Sequence, residues 1–291
     1  MTPPSARTDQ APRNQAPSNQ AQAELWNARA GETWVAQQAM LDRLFLPLEE
    51  LLADSVRPTG ARDVLDIGCG AGATTLAVAQ ALAPDGQCTG LDISVPLIEA
   101  ARRRAAETGV ATQFLAGDAQ NYSFARGSFD WIVSRFGVMF FDQPEWAFAN
   151  LRGAVRDGAG LTMITWRDPA ENPFMTAGER AAAPLLPQLT PSDPDAPGQF
   201  AFADPDKVRR ILANGWRETG IKPVDIACAL PAGDLRTYIM NMGRVGVLLP
   251  DLDDRTRASV SAALTAAFDP FISNGVARFS LACWLVTARA A

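Results

Sequence analysis

The residues whose types and spacing suit chemistry lie at 63–76, DVLDIGCGAGATTL. Asp63 to Ile67 read as a short strand with apolar Val64, Leu65 and Ile67. Gly68-Cys69-Gly70-Ala71-Gly72 read as a turn, and Ala73-Thr74-Thr75 as a helix start. A glycine-rich turn between strand and helix lets a ligand approach the backbone closely, because no Cβ stands in the way. Dinucleotide-binding turns read G-x-G-x-x-G and face a pyrophosphate. Here the spacing is G-x-G-x-G, with Asp66 two residues before the first glycine. An acid at that place suits a ligand carrying positive charge, an amino group and a sulfonium, better than a diphosphate. An ordinary nucleotide turn is the alternative.

Further acids and polar groups follow at strand ends. Gln87 to Leu91 read as a second strand ending in Asp92. α/β nucleotide folds hold a ribose diol there, since one carboxylate accepts from both hydroxyls. The competing role for Asp92 is to cap the helix starting near Pro96, with Ser94 as rival cap. Thr112 to Ala116 form a third strand before Gly117-Asp118-Ala119, which by itself is only a turn. Phe129 to Ser134 form a fourth, running into Arg135-Phe136-Gly137-Val138-Met139-Phe140-Phe141. A parallel sheet collects ligands at the carboxyl ends of its strands, so Ser134, Arg135 and Phe136 are expected to face the reacting atoms.

Composition removes several chemistries. The chain of 291 residues contains no histidine. That excludes His-ligated zinc, Ser-His-Asp and Cys-His catalysis, and the side chain most often used as a base near neutral pH. A displacement on a sulfonium methyl needs none of these. Carboxylates at Asp142, Glu145 and Glu171 lie nearest by position, but none stands out as a base, and no metal site is expected. The net charge is −6, which with no basic stripe argues against a nucleic-acid substrate. Four scattered cysteines without a C-x-x-C suit reduced thiols in the cytoplasm. No apolar run reaches membrane-spanning length.

The elements around the motif are legible in outline. Residues 1–22 are rich in Pro, Gln, Asn, Ser and Ala and are expected to be a disordered tail. Residues 23–57 carry Trp26, Trp34, Met40, Leu41, Leu44, Phe45, Leu48 and Leu52 at helical spacing, and Pro47 is expected to split them into two helices. They read as a helical cap over the sheet; Trp26 or Trp34 closing over the cofactor is the sharper reading, since an indole face favours a sulfonium. Helices are expected at 73–83, 96–108, from Pro144 to Val155, and from Pro205 to the break at Gly215. Asp157-Gly158-Ala159-Gly160 reads as a turn into a fifth strand, Leu161 to Trp166. Residues 168–200, with seven prolines, read as an irregular lid or loop. A sixth strand falls near 221–229, two helices near 235–249 and 255–268, and a last strand at 277–287. Residues 232–275 are therefore an insertion, with Tyr238, Met240, Met242 and Arg244 placed to line an acceptor pocket, to complete the core or to form a dimer contact.

In order, DVLDIGCGAG, LDIS, GDAQ, SFDWIVSRFGVMFF and RDGAGLTMITW resemble the class I S-adenosylmethionine-dependent methyltransferases, specifically the group of ubiquinone and menaquinone biosynthesis enzymes. The likeness is close over 60–167 and looser over 200–290; Arg156 to Gly160 depart from the family's Pro-Gly-Gly turn. It implies an α/β, Rossmann-like, seven-stranded and mostly parallel sheet with helices on both faces, spanning 58–291, plus the N-terminal helices and the insertion before the last strand. It implies S-adenosylmethionine as cofactor, held by Asp66, Gly68, Cys69, Gly70 and Gly72, by Asp92 and Ile93, by Ser134 and Arg135, and with Trp34 above. It places Asp118 against the adenine amino group and Ala119 at the ring. The implied activity is direct in-line methyl transfer to a small-molecule acceptor. A non-catalytic cofactor-binding module is the leading alternative and an NAD(P)-dependent oxidoreductase the second; a homodimer is left open.

Overall fold

A computed structural model of the protein describes residues 19–190, 193 and 195–291. Most of the tail expected at 1–22 lies outside the described residues. Its last residues do not: α1 (Gln20–Trp26) starts there, followed by α2 (Arg29–Ala36) and α3 (Gln38–Val56). α3 buries Met40, Leu41, Leu44, Phe45, Leu48, Leu52 and Val56 along one stripe, as an amphipathic helix against a core must. Pro47 does not split it. Its ring deprives the Arg43 carbonyl of a donor, at a residue on the exposed side of the helix. The break falls at Gln37, whose φ of −99° and ψ of 8° leave the helical region.

The sheet opens with β1 (Asp63–Ile67), α4 (Ala73–Ala81), β2 (Gln87–Asp92), α5 (Val95–Thr108) and β3 (Thr112–Ala116). β4 (Phe129–Arg135), α6 (Pro144–Ala154) and β5 (Val155–Trp166) follow. β5 is longer than its expected span. The glycine-rich stretch 157–160 is absorbed into the strand, with a register slip against β4 between Phe129 and Trp131. Gly158 at φ +77° takes up the bend.

Residues 168–200, expected to be irregular, contain α7 (Pro173–Ala182). Asn172, fully buried before α7, donates to the Ala282 carbonyl and accepts from the Ala282 N–H, tying the segment to the sheet. α8 (Pro205–Leu212) begins at Pro205 as the sequence predicts, with Asp204 as its cap, accepting from the Asp206 N–H. β6 (Trp216–Pro231) leads into α9 (Ala232–Asn241), α10 (Gly243–Leu248) and α11 (Asp254–Phe268), then β7 (Ile272–Ser273) and β8 (Val276–Ala290). The expected helix over 235–249 is thus two helices, broken at Met242-Gly243, where Gly243 takes φ +69°.

The strand order is β3-β2-β1-β4-β5-β8-β6, with the two-residue β7 added on β8. β1 to β5 are parallel, and β8 runs antiparallel to both β5 and β6. Chain order therefore reverses between β1 and β4. Right-handed crossovers on either side of that reversal put helices on opposite faces and leave a crevice at the carboxyl ends of β1 and β4. The seven long strands match expectation; β7 is the addition.

Among the described residues two large apolar cores result, with a small third cluster of Cys69, Ile98, Ala101 and Phe114. The larger lies between sheet and helices, including α3, and contains Val64, Leu65, Ile132, Val133, Leu161 and Ile164. The smaller of the two is formed by α7 and α9 to α11, around Phe174, Leu235, Val260, Leu264 and Phe268. β5 pairs with β8 only from Cys283 onward, whereas β6 pairs with it back to Val276. The β6–β8 ribbon thus projects past the carboxyl end of β5 and carries the insertion to the crevice side. No helix among the described residues is long and apolar enough to cross a membrane.

Candidate functional site

The turn after β1 is built on three glycines with left-handed backbones: Gly68 at φ +66°, Gly70 at +54° and Gly72 at +84°. At Gly72 a Cβ would fall 2.8 Å from the Phe114 ring, whereas at Gly70 it would meet nothing within 4 Å. The turn leaves open space at Gly70, on the crevice side. Its backbone is pinned from β2. The Gly68 and Cys69 N–H groups donate to the Leu91 carbonyl, at 2.8 and 3.1 Å. The Gly70 N–H donates to one Asp92 oxygen and the Ser94 N–H to the other, each at 2.8 Å. Asp92 remains half-buried, and burial raises its carboxyl above the ordinary value against these bonds. Ser94, not Asp92, caps α5 by accepting from the Leu97 N–H. Each Asp92 oxygen keeps a lone pair for a further donor.

Beneath the turn lies a cluster of buried charges. Asp66 is fully buried; Thr75 donates to its Oδ2 at 2.7 Å, and its Oδ1 has no partner. Burial pushes this carboxyl up to about 7. Arg135, from the end of β4, donates through Nε to Thr74 at 3.1 Å, and its guanidinium lies 5.0 Å over the Phe45 ring. Its Nη1 stands 3.6 Å from Glu49 Oε1 on α3, beyond a hydrogen bond, and both atoms lack a partner. Burial raises Glu49 as well, partly offset by Arg135. Asp66 Oδ1 thus has no partner, and Glu49 Oε1 and Arg135 Nη1 have only their long ion pair with each other, at the carboxyl ends of β1 and β4. Buried polar atoms are rarely left so.

The outer rim comes from other elements. Asp118 accepts from the Gln120 N–H at 3.0 Å, and burial raises its carboxyl. Ala119 is buried beside it, its carbonyl held by Asn150. The Ile93 carbonyl and the Val95 N–H both bond the side chain of Asn27, between α1 and α2, and Ser94 donates to the Trp26 carbonyl at 2.7 Å. The N-terminal helices are therefore fastened onto the turn that carries Asp92. Trp34 meets Trp26 edge to face at 5.8 Å, and Trp26 meets Phe140 likewise at 5.4 Å.

The structure brings Asp66, the glycine turn, Asp92, Ile93 and Arg135 around one crevice, with Asp118, Ala119 and Trp34 along its rim. Ser134 departs from expectation: fully buried, its hydroxyl turns back to the Ile67 carbonyl at 2.8 Å. Phe136 holds a left-handed φ of +67° and stacks on Trp166 at 4.4 Å, a strained backbone of the kind found at functional turns. Asp142 and Glu145 are exposed, Asp142 near enough to Asp118 to raise its carboxyl, and Glu171 pairs with Arg167. Glu49, Phe45, Thr74, Thr75 and Asn27 were not singled out by sequence; a lone Glu within the apolar stripe of α3 was the one available signal. Among the described residues no cluster of metal ligands occurs. An open concavity of about 700 Å³ lined by Arg126, Arg152 and Arg156 lies at the opposite, amino end of the strands.

Residues 64–158 match the family model of a methyltransferase domain. The chain carries a methyltransferase domain over this stretch. Over 40% of its length it is 36% identical to the nocamycin O-methyltransferase of Saccharothrix syringae, covering 43% of that protein. Over 52% it is 30% identical to the aklanonic acid methyltransferase DauC of Streptomyces sp. (strain C5), covering 66% of it. The matched part of the chain thus spans less than two thirds of either relative. By fold it is similar to the [4+2]-cyclase SpnF, with a TM-score of 0.55 at 17% identity over 94% of this chain and 97% of that one. It is also similar to the YcgJ protein of Bacillus subtilis, with a TM-score of 0.53 at 20% identity over 82% and 97%.

Proposed function

We propose that the protein transfers a methyl group from S-adenosylmethionine to a small-molecule acceptor by direct in-line displacement. The observation that carries this reading is the set of buried atoms without a hydrogen-bond partner on Asp66, Glu49 and Arg135, the last two joined only by a 3.6 Å ion pair, beside the open space at Gly70. Two carboxylate oxygens and a guanidinium N–H are the complement of an α-amino acid: acceptors for an ammonium, a donor for a carboxylate. A dinucleotide pyrophosphate would meet two acids here beside a single donor. S-adenosylmethionine, when bound, supplies an electrophilic methyl group on a sulfonium.

The chain's own residues bind and orient. Asp92 offers its free lone pairs to ribose hydroxyls, Asp118 an acceptor to the adenine amino group, and the glycine turn a backbone that a ligand can touch. Fastening of α1 and α2 onto residues 93–95 excludes water from the rim, which preserves the electrostatics of the site. No residue is assigned as a base, and the acceleration rests on holding the acceptor atom in line. In this reading 23–57 is a cap, 58–291 the methyltransferase domain, and 168–200 with 232–275 enclose the acceptor. The acceptor is a small molecule and not a nucleic acid, consistent with the acidic net charge. Four buried free thiols suit the cytoplasm.

The test is direct. The purified protein should retain S-adenosylmethionine or its demethylated product and pass label from methyl-labelled S-adenosylmethionine to a component of metabolite extracts. Retention of NAD(P), or cofactor binding with no transfer to any extract, would refute it.

A further inference from the structure

Asn19 stands immediately before α1, outside the methyltransferase domain match, and is 7% exposed. An asparagine at that place usually turns its side-chain oxygen onto the first N–H groups of the helix. Here it makes no such bond. Its Nδ2 donates instead to the Phe140 carbonyl at 3.3 Å. A carbonyl only accepts, so this bond fixes which way the amide points and leaves Oδ1 as the free acceptor. That oxygen is buried and has no donor. The backbone and side chain of Asn19 also act to lower the Asp118 carboxyl against its burial, which puts the two residues close together. Three residues on, and hence on the same face of the helix, Gln22 buries an Oε1 that likewise lacks a donor. Trp26 continues that face toward Phe140.

We infer that the inner face of α1 is the outer wall of the adenosine site, where Asn19 Oδ1 accepts one hydrogen of the adenine 6-amino group while Asp118 accepts the other. This rests on the cofactor reading above and adds a residue to it. A 6-amino group presents two hydrogens in the ring plane, and two adjoining acceptors are its complement. A purine with oxygen at that position would set acceptor against acceptor at both. Asn19 thereby binds the base from a segment separate from the sheet domain, and makes the N-terminal helices part of the cofactor site rather than a cover for the core.

The experiment is calorimetry on the full chain with S-adenosylhomocysteine and with its purine analogue lacking the 6-amino group. Asn19→Ala is expected to weaken S-adenosylhomocysteine about three- to tenfold, and the analogue by less than about twofold, because the analogue has no hydrogen to lose. Asn19→Ser restores a capping side chain but does not reach as far, and should behave as Asn19→Ala does. Equal weakening of both ligands, or wild-type affinity in Asn19→Ser, would make Asn19 a helix-start residue and overturn the inference. Unchanged affinity in both variants would remove it from the site. Failure of the unsubstituted protein to bind S-adenosylhomocysteine would overturn the cofactor reading itself, and the role of Asn19 with it.

Discussion

Gly68 and Gly137 stand back to back. A Cβ on Gly68 would lie 2.4 Å from the Gly137 Cα, and one on Gly137 would lie 2.5 Å from the Ile67 carbonyl oxygen and 2.6 Å from the Gly68 Cα. The contact joins the turn after β1 to the turn after β4, the two strands between which chain order reverses. It sets how closely the glycine turn and the aromatic segment 136–141 approach, and hence the width of the crevice floor.

Gly137→Ala is expected to force these two backbones apart, since neither side is a movable side chain. Overpacking of this kind costs about 2–3 kcal/mol, and urea unfolding should show it together with loss of S-adenosylhomocysteine binding. Gly70→Ala makes the contrast. Its Cβ enters open space, so the left-handed backbone alone costs about 1–2 kcal/mol. The variant should fold and still lose at least about tenfold in ligand affinity, through close approach denied. Full affinity in folded Gly70→Ala would show that the open space is not the ligand's.

Asp92 holds two backbone N–H groups at once, which couples its ligand role to the shape of the turn. Asp92→Ala leaves the Gly70 and Ser94 donors without their carboxylate, a loss of about 2–4 kcal/mol in stability. Ligand affinity should fall at least about tenfold in the same variant. Calorimetry that finds a folded Asp92→Ala protein with unchanged affinity moves the ribose contact elsewhere.

Asp66 predicts a pH dependence. Its carboxyl is raised from 3.8 to about 7 by burial, against the Thr75 hydrogen bond. Between those values the folded protein holds a proton that the unfolded chain has released, so stability is full below the lower value and falls as pH rises through the window. The raised value corresponds to roughly 4 kcal/mol across it. Glu49, Asp92 and Asp118 are raised too and add slope of the same sign. Asp66→Asn should therefore flatten, without abolishing, the decline measured by urea unfolding from pH 4 to 8. A slope identical to wild type would mean the carboxyl ionises normally. An ammonium arriving beside Asp66 favours its charged form, so ligand binding near pH 7 should release protons, seen as a dependence of binding heat on buffer.

Strand-turn-helix signals were readable because each depends on neighbouring residues: Val64, Leu65 and Ile67 alternate with nothing polar except Asp66, and the glycines punctuate at once. Asp92 and Ser94 were distinguishable only by geometry, since both types cap helices. Pro47 misled because the sequence does not say whether Arg43, whose carbonyl it deprives of a donor, lies on the exposed side of the helix. The long β5 was hidden by Gly158 and Gly160, which mark a turn by type but a bulge in context; a Cβ on Gly160 would strike the Trp131 ring at 2.4 Å. Least readable was the charged cluster. Glu49, Asp66 and Arg135 are brought together by α3, β1 and β4, and no local pattern reports contacts across such separations.

The last prediction concerns the acceptor. Tyr238 on α9 packs against both apolar cores, and Met242, at the end of that helix, is buried in the larger one. Tyr238 keeps part of its surface accessible, while burial pushes its phenol well above the ordinary value. Its hydroxyl reaches only the Met175 thioether at 3.7 Å, a weak acceptor. The projecting β6–β8 ribbon places this seam on the cofactor side of the sheet, where an acceptor must be enclosed. Truncating Tyr238 and Met242 to Ala should lower transfer at least about tenfold through lost positioning, with S-adenosylhomocysteine affinity within about twofold of wild type. Loss of cofactor affinity with the acceptor's apparent affinity intact would refute the assignment; no change in either would make the insertion a structural or dimer-forming element. Tyr238→Phe separates the ring from its hydroxyl. If the acceptor supplies a better oxygen than Met175 offers, its KM should rise while kcat holds; wild-type behaviour would reduce Tyr238 to an apolar wall.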